Sequence, residues 1–75
     1  MSERVLVSVG GGILTATLNR EDKRNAIDTA MIDALLATLE RADLDAGVRV
    51  VAIRGAGRDF CAGMDLNELL ASADQ

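Results

Sequence analysis

The chain has no proline, histidine, tryptophan or tyrosine, and only one phenylalanine (Phe60) and one cysteine (Cys61). A single cysteine cannot form an intramolecular disulfide, so no covalent staple holds this fold. With one aromatic ring available, the core must be aliphatic. Without histidine, Cys61 lacks an imidazole that would activate it as a nucleophile, and it is expected to be part of a small-residue turn. Long apolar runs are also missing: charge interrupts each within a few residues, short of the roughly 20 needed to span a bilayer, so no membrane partner is expected. Near the N-terminus only Val5–Val9 is apolar-rich, which is too short for the core of a secretory leader, and a cytoplasmic location is the simplest expectation. Positive charge is in deficit, with 8 Lys and Arg against 12 Asp and Glu and a net charge of -4. That is the wrong sign for neutralising many phosphates, so no nucleic acid partner is expected. No metal site is expected either.

What is present is a folding composition. Hydrophobic residues make up 49% of the chain, too many for a disordered segment. Seventy-five residues make at most one small domain, which buries a modest share of its surface, so support from a partner surface or further chain is expected. "RVLVSV" (4–9) and "ILTATL" (13–18) are β-branched, alternating runs separated by Gly10, Gly11 and Gly12, a hairpin pattern. The polar connection "NREDKRNA" (19–26) leads to a helix with Asp28 as N-cap and Ile27 set against Ile32 as a hydrophobic staple. Met31, Ile32, Leu35, Leu36 and Leu39 recur at helical spacing as one buried stripe, and Gly47 suits a left-handed C-cap. "VRVVAIR" (48–54) is nearly continuously apolar, as in parallel strands covered on both faces, and a strand-helix-strand order favours a right-handed crossover. The fold class is α/β, in the order β-β-α-β, loop, short helix.

The last of these elements begins in "FCAGMDLNEL" (60–69), where Asp65 is a candidate N-cap with Glu68 three positions on. Amides at a helix start lack intrahelical partners and carry partial positive charge. On a turn loosened by Gly63 and flanked by the small Cys61 and Ala62, the Met64 N–H can donate to an oxygen that becomes negative, which is half of an oxyanion hole. The alternative is that Gly63 merely permits a tight turn. Arg20, Lys23 and Arg24 are either a solvated basic loop or an anion contact, and Arg54 and Arg58 are expected at the surface. "VVAIRGAGRDF" (50–60) fails as a dinucleotide loop, because Phe60 stands at the third glycine position and no helix follows at once.

Taken in order, L-N-R with K-R-N-A (18–26), D-x-x-V-R-V-V (45–51) and G-A-G-R-x-F-C-A-G-x-D-L (55–66) resemble the N-terminal part of the crotonase superfamily, the enoyl-CoA hydratase/isomerase family. The resemblance runs from about Val5 to Leu70. It implies the start of a spiral of ββα units, with residues 1–75 as the N-terminal portion of an acyl-CoA-binding domain that is incomplete alone. It implies fatty acid metabolism and an acyl-CoA thioester substrate, with coenzyme A as part of the substrate and no permanently bound cofactor. The Met64 amide is assigned to the oxyanion hole, and Lys23, Arg24, Ala26, Ala62, Gly63, Met64, Asp65 and Leu66 to the CoA-binding region. The family's catalytic glutamates and second oxyanion donor lie beyond this segment, so the isolated chain is expected to be inactive. Homo-oligomers, as trimers or dimers of trimers, are implied too. Hydratase, isomerase and other thioester chemistries are not distinguished. A non-catalytic CoA-binding or subunit-assembly module is the alternative.

Overall fold

The computed structural model describes residues 3–65. Strands β1 (Val5–Gly10) and β2 (Ile13–Leu18) pair antiparallel, from Val5 opposite Leu18 to Gly10 opposite Ile13. Gly11 and Gly12, at φ +59° and +81°, form the turn between them. Two successive positive φ values are what a type I′ hairpin turn demands, so the triple glycine is structural. Helix α1 (Thr29–Leu44) follows, and β3 (Val50–Gly55) then pairs parallel to β2, giving the sheet order β1-β2-β3.

Helix α1 starts where expected: Asp28 is extended and its carboxylate accepts from the Met31 N–H at 2.9 Å. Its end differs from expectation. Asp45, not Gly47, is the C-cap, and the Asp45 carboxylate accepts from the Gly47 N–H at 2.8 Å. Gly47 is absent from the positive-φ residues, because this short side-chain turn replaces a left-handed cap.

Register decides the core. Leu14, Ala16 and Leu18 alternate onto one face of β2 and are buried under α1 with Val5, Met31 and Ala42. The expected helical stripe divides in two. Met31 is buried, and Ala34 and Leu35 pack at the core's margin, whereas Ile32, Leu36 and Leu39 are exposed. Thr38, which the apolar pattern passed over, is buried instead and donates its hydroxyl to the Ala34 carbonyl at 2.8 Å. Strand β3 also departs from expectation. It is parallel, but Val50 and Ile53 are exposed, so it is not covered on both faces. The helix lies mainly over β1 and β2, and β3 forms an edge of the sheet, with Val51 packed at the margin of the core. Among the described residues no helix is long and apolar enough to cross a membrane. The short helix expected from Asp65 onward lies outside the described residues, as does Leu66.

Beyond β3 the chain turns back sharply. The Ala56 N–H donates to the Leu18 carbonyl at 2.8 Å, and a Cβ on Gly55 would strike the backbone of Asp59 and Phe60, the Phe60 Cα at 2.7 Å. Gly55→Ala should therefore lower stability by about 1–3 kcal/mol. Gly10→Ala, where an added Cβ meets nothing within 4 Å, should change it by less than about 0.5 kcal/mol. Urea unfolding followed by circular dichroism compares the two, and equal midpoints would contradict the packing described.

Candidate functional site

Two short stretches separated in sequence lie side by side where the hairpin, the start of α1 and the turn after β3 meet. The first leaves β2 through a 3-10 turn at Glu21–Lys23. Arg24 and Asn25 are both left-handed, at φ 54° and 59°. Asparagine accepts this region better than most residues, since its short amide can bond locally. Asn25 is fully buried and spans the gap: its Oδ1 accepts from the Arg20 N–H at 2.8 Å, and its Nδ2 donates to the Ala56 carbonyl at 3.0 Å and the Asp59 carbonyl at 2.7 Å. The turn after β3 is thereby pinned to the loop before α1.

The second stretch is Cys61–Asp65. Ala62 N–H donates to the Arg24 carbonyl at 3.0 Å, Ile27 N–H to the Gly63 carbonyl at 2.7 Å, and Asp65 N–H to the Ile27 carbonyl at 2.7 Å. Ile27 and Met64 form an isolated parallel bridge. In a parallel bridge one residue bonds to the two neighbours of its partner. Ile27 thus uses Gly63 and Asp65, and Met64 turns its own N–H and carbonyl to the opposite side. Among the described residues the Met64 N–H donates to none. Gly63 at φ +99° supplies the turn before it, in space that a Cβ would not fill, so the backbone angle and not crowding selects glycine there. The Met64 side chain is half exposed.

All the described candidate residues fall in this junction. Lys23 and Arg24 are exposed on its rim. Arg24 pairs with Asp59 at 3.3 Å, a surface contact worth under about 1 kcal/mol. The Ala26 carbonyl accepts from Arg20 Nη1 at 3.2 Å. Cys61 is half-buried, and its sulfur accepts from the Gly63 N–H at 3.3 Å, which gives it a place in the turn. Arg54 and Arg58 are exposed, as expected.

Arg20 is the clearest departure from a solvated basic loop. Its side chain is 13% exposed, and Nη1 lies 2.8 Å from Asp65 Oδ2 and 3.4 Å from Asp28 Oδ2. Asp28, 8% exposed, is gripped from the other side by Arg4 at 3.0 Å. Burial alone pushes the Asp28 carboxyl up. Hydrogen bonds from Arg4 and the Met31 N–H, with the charges of Arg20 and Arg4, outweigh this and hold its pKa below the ordinary carboxylate value. The Asp65 hydrogen bond, stronger than the opposing burial, raises the Arg20 pKa further. Asn25, Arg20 and the second role of Asp28 went unrecognised in the sequence. Arg20 and Asn25 do fall within the L-N-R and K-R-N-A blocks, and an asparagine directly after a basic turn suits a left-handed position.

A hollow of about 250 Å³ lies elsewhere, lined by Leu39, Ala42, Asp43, Val48, Arg49, Val50 and Val51. It sits at the C-terminal end of α1, whereas the Met64 junction sits at its N-terminal end. Sixteen residues of helix separate the ends, about 24 Å, so the hollow is no part of the junction.

These features define an α/β unit in which a helix start, a buried ion cluster and a small-residue turn meet around one outward backbone donor. A family model described as enoyl-CoA hydratase/isomerase matches residues 13–75, and the chain belongs to that family, within the crotonase superfamily. It is 40% identical to the 1,2-epoxyphenylacetyl-CoA isomerase of Escherichia coli K12 over 91% of this chain and 26% of that protein. It is 44% identical to the 2,3-dehydroadipyl-CoA hydratase of the same strain, over 92% and 27% respectively. Among solved structures, it superposes on an enoyl-CoA hydratase from Mycobacterium tuberculosis H37Rv with a TM-score of 0.84 and 40% identity, covering 89% of this chain and 30% of that one. The chain thus spans about a quarter of the length of these curated relatives.

Because the folded pKa of Asp28 is depressed, its stabilising contribution is fully present above the unfolded value of about 3.9 and is lost as pH falls through the lower folded value. Asp28→Asn should cost about 2 kcal/mol at neutral pH. Urea midpoints of parent and variant should converge in acid below about pH 4, and a gap independent of pH would contradict the ion cluster.

Proposed function

We propose that this chain supplies the carbonyl-polarising half of an acyl-CoA site in an enzyme of the hydratase/isomerase type. One observation carries the reading: the Met64 N–H faces away from the Ile27 bridge, beside a glycine-enabled turn, with no acceptor among the described residues. A thioester carbonyl whose oxygen gains negative charge as an enolate forms is the acceptor such a donor suits. The relatives' names support the substrate class, since the isomerase and hydratases above act on CoA thioesters.

In this site Met64 donates through its backbone, and its half-exposed side chain lines the acyl pocket. Ala62 and Gly63 keep the approach open. Lys23 and Arg24, exposed on the rim beside Ala26, pair with CoA phosphates, Arg24 giving up its weak contact with Asp59. Asp65 holds the turn, and Leu66, outside the described residues, extends the CoA region. Coenzyme A enters as part of the substrate. Proton transfer needs carboxylates placed on the acyl chain, and in this reading the glutamates and second oxyanion donor of the family come from outside the Met64 turn.

A second reading is favoured by the exposed Ile32, Leu36 and Leu39 on α1: the chain acts as a CoA-binding or assembly module, held in a homo-oligomer through this face. Gel filtration with CoA titration calorimetry separates the two, since a folded oligomer that binds CoA supports the module.

Two outcomes are expected. Residues 1–75 alone should hydrate crotonyl-CoA no faster than buffer. In carbon-13 spectra of crotonyl-CoA labelled at its carbonyl, added protein should move the resonance downfield. Met64→Ala should preserve that shift, and Met64→Pro, which deletes the N–H, should abolish it. An equal shift with both variants would sink the assignment of the donor.

A further inference from the structure

We propose that Arg20 is a positioning residue that clamps the Ile27–Met64 bridge and so sets the direction of the Met64 N–H. The inference rests on the reading of Met64 as the donor, but the clamp itself is a matter of geometry. One guanidinium nitrogen, Nη1, touches three acceptors: the Ala26 carbonyl at 3.2 Å, Asp65 Oδ2 at 2.8 Å and Asp28 Oδ2 at 3.4 Å. Ala26 and Asp28 flank Ile27, and Asp65 follows Met64. Arg20 therefore holds both sides of the bridge, one residue from its centre on each.

The bridge needs such a hold. It consists of the two hydrogen bonds of Ile27, to Gly63 and from Asp65, and no described ladder extends it. Isolated pairings of this size open readily. Every degree by which residues 63–65 swing away re-aims the Met64 N–H, and an oxyanion donor works only when held in place before charge develops.

Arg20 is itself anchored. Its N–H donates to Asn25 Oδ1 at 2.8 Å, and its carbonyl accepts from the Lys23 N–H at 3.0 Å and the Asn25 N–H at 2.8 Å. Asp28, its second acceptor, is fixed as the N-cap of α1 and by Arg4. The clamp thus transmits the position of the sheet and the helix to the turn carrying Met64.

Because the three acceptors converge on a single nitrogen, the guanidinium fork is not what the site uses. An ammonium carries three donors on one nitrogen and can reproduce this convergence. The clamp therefore predicts rescue by lysine, which a role in general packing does not.

Amide hydrogen exchange of the nitrogen-15-labelled chain, followed by NMR, tests this without any CoA ligand. In the parent, the Ile27 and Asp65 amides should be protected and the Met64 amide should exchange fast. Arg20→Ala should speed exchange at Ile27 and Asp65 roughly tenfold or more, with the β1–β2 amides unchanged, and Arg20→Lys should restore most of the protection. If Arg20→Ala loosens the hairpin as well, Asp65→Asn decides. It keeps an acceptor while removing the charge, and should speed exchange at the same two amides alone. Unchanged protection in Arg20→Ala, equal loss in the Ala and Lys variants, or no response to Asp65→Asn would each overturn the clamp. The carbonyl shift of crotonyl-CoA tests the donor separately, so failure of one is distinguishable from failure of the other.

Discussion

The junction depends on four charges that cannot be separated. Arg4, Arg20, Asp28 and Asp65 form a continuous chain of contacts from the residue before β1 to the residue after Met64. Three of the four side chains are 8–13% exposed, where an unpaired charge is costly and a paired one is held by its partner. Two positive and two negative groups balance, so the cluster is tolerable only when complete. Its members come from before β1, from the end of β2, from the N-cap of α1 and from the turn after β3. Completing it brings these four places to one point. Asn25 does the same for the neutral backbone, joining Arg20 to the carbonyls of Ala56 and Asp59.

Around this well-determined junction the packing is thin. Among the described residues six apolar side chains form the buried core, while Leu6, Ile13 and Val50 on one face of the sheet and Ile32, Leu36 and Leu39 on the helix are exposed. The curated relatives are about four times as long as this chain, which superposes on part of the Mycobacterium tuberculosis hydratase structure with a TM-score of 0.84. The unit holds its ion cluster and Asn25 internally beside a small aliphatic core, and it leaves further apolar side chains exposed. The internal contacts keep the local shape of the turn, and the outward faces are available to whatever packs against them.

The hairpin and the start of α1 were legible because each rests on a local rule, and the parallel placement of β3 because a strand-helix-strand order favours a crossover to a parallel neighbour. Paired glycines permit the turn, Asp28 can cap only a helix that starts directly after it, and β-branched runs favour strands. The burial of β3 was misjudged because an apolar run shows what a strand tolerates, not what covers it. The C-cap was misplaced because Asp45 offers a side-chain turn that competes with the left-handed glycine. Arg20 was hidden for a deeper reason. Its carboxylate acceptors lie 8 and 45 residues along the chain, and nothing in a polar loop distinguishes a guanidinium that meets two carboxylates from one that meets water. The family itself was legible because the resemblance joins distant blocks by order, which local patterning does not.

A donor that belongs to the backbone changes which residues constrain the site. The N–H at position 64 is present with any residue but proline, so a backbone donor leaves the choice of side chain there open. The demands on sequence move instead to the residues that aim the peptide. Gly63 supplies φ +99°, Ile27 supplies the bridge, and Arg20 and Asp65 hold its edge. In the proposed site, chemistry and positioning are therefore carried by different residues. Changes at position 64 alter what the acyl group touches. Changes at Arg20, Asn25 or Gly63 alter where the donor points, although none of these side chains need ever meet the reacting carbonyl.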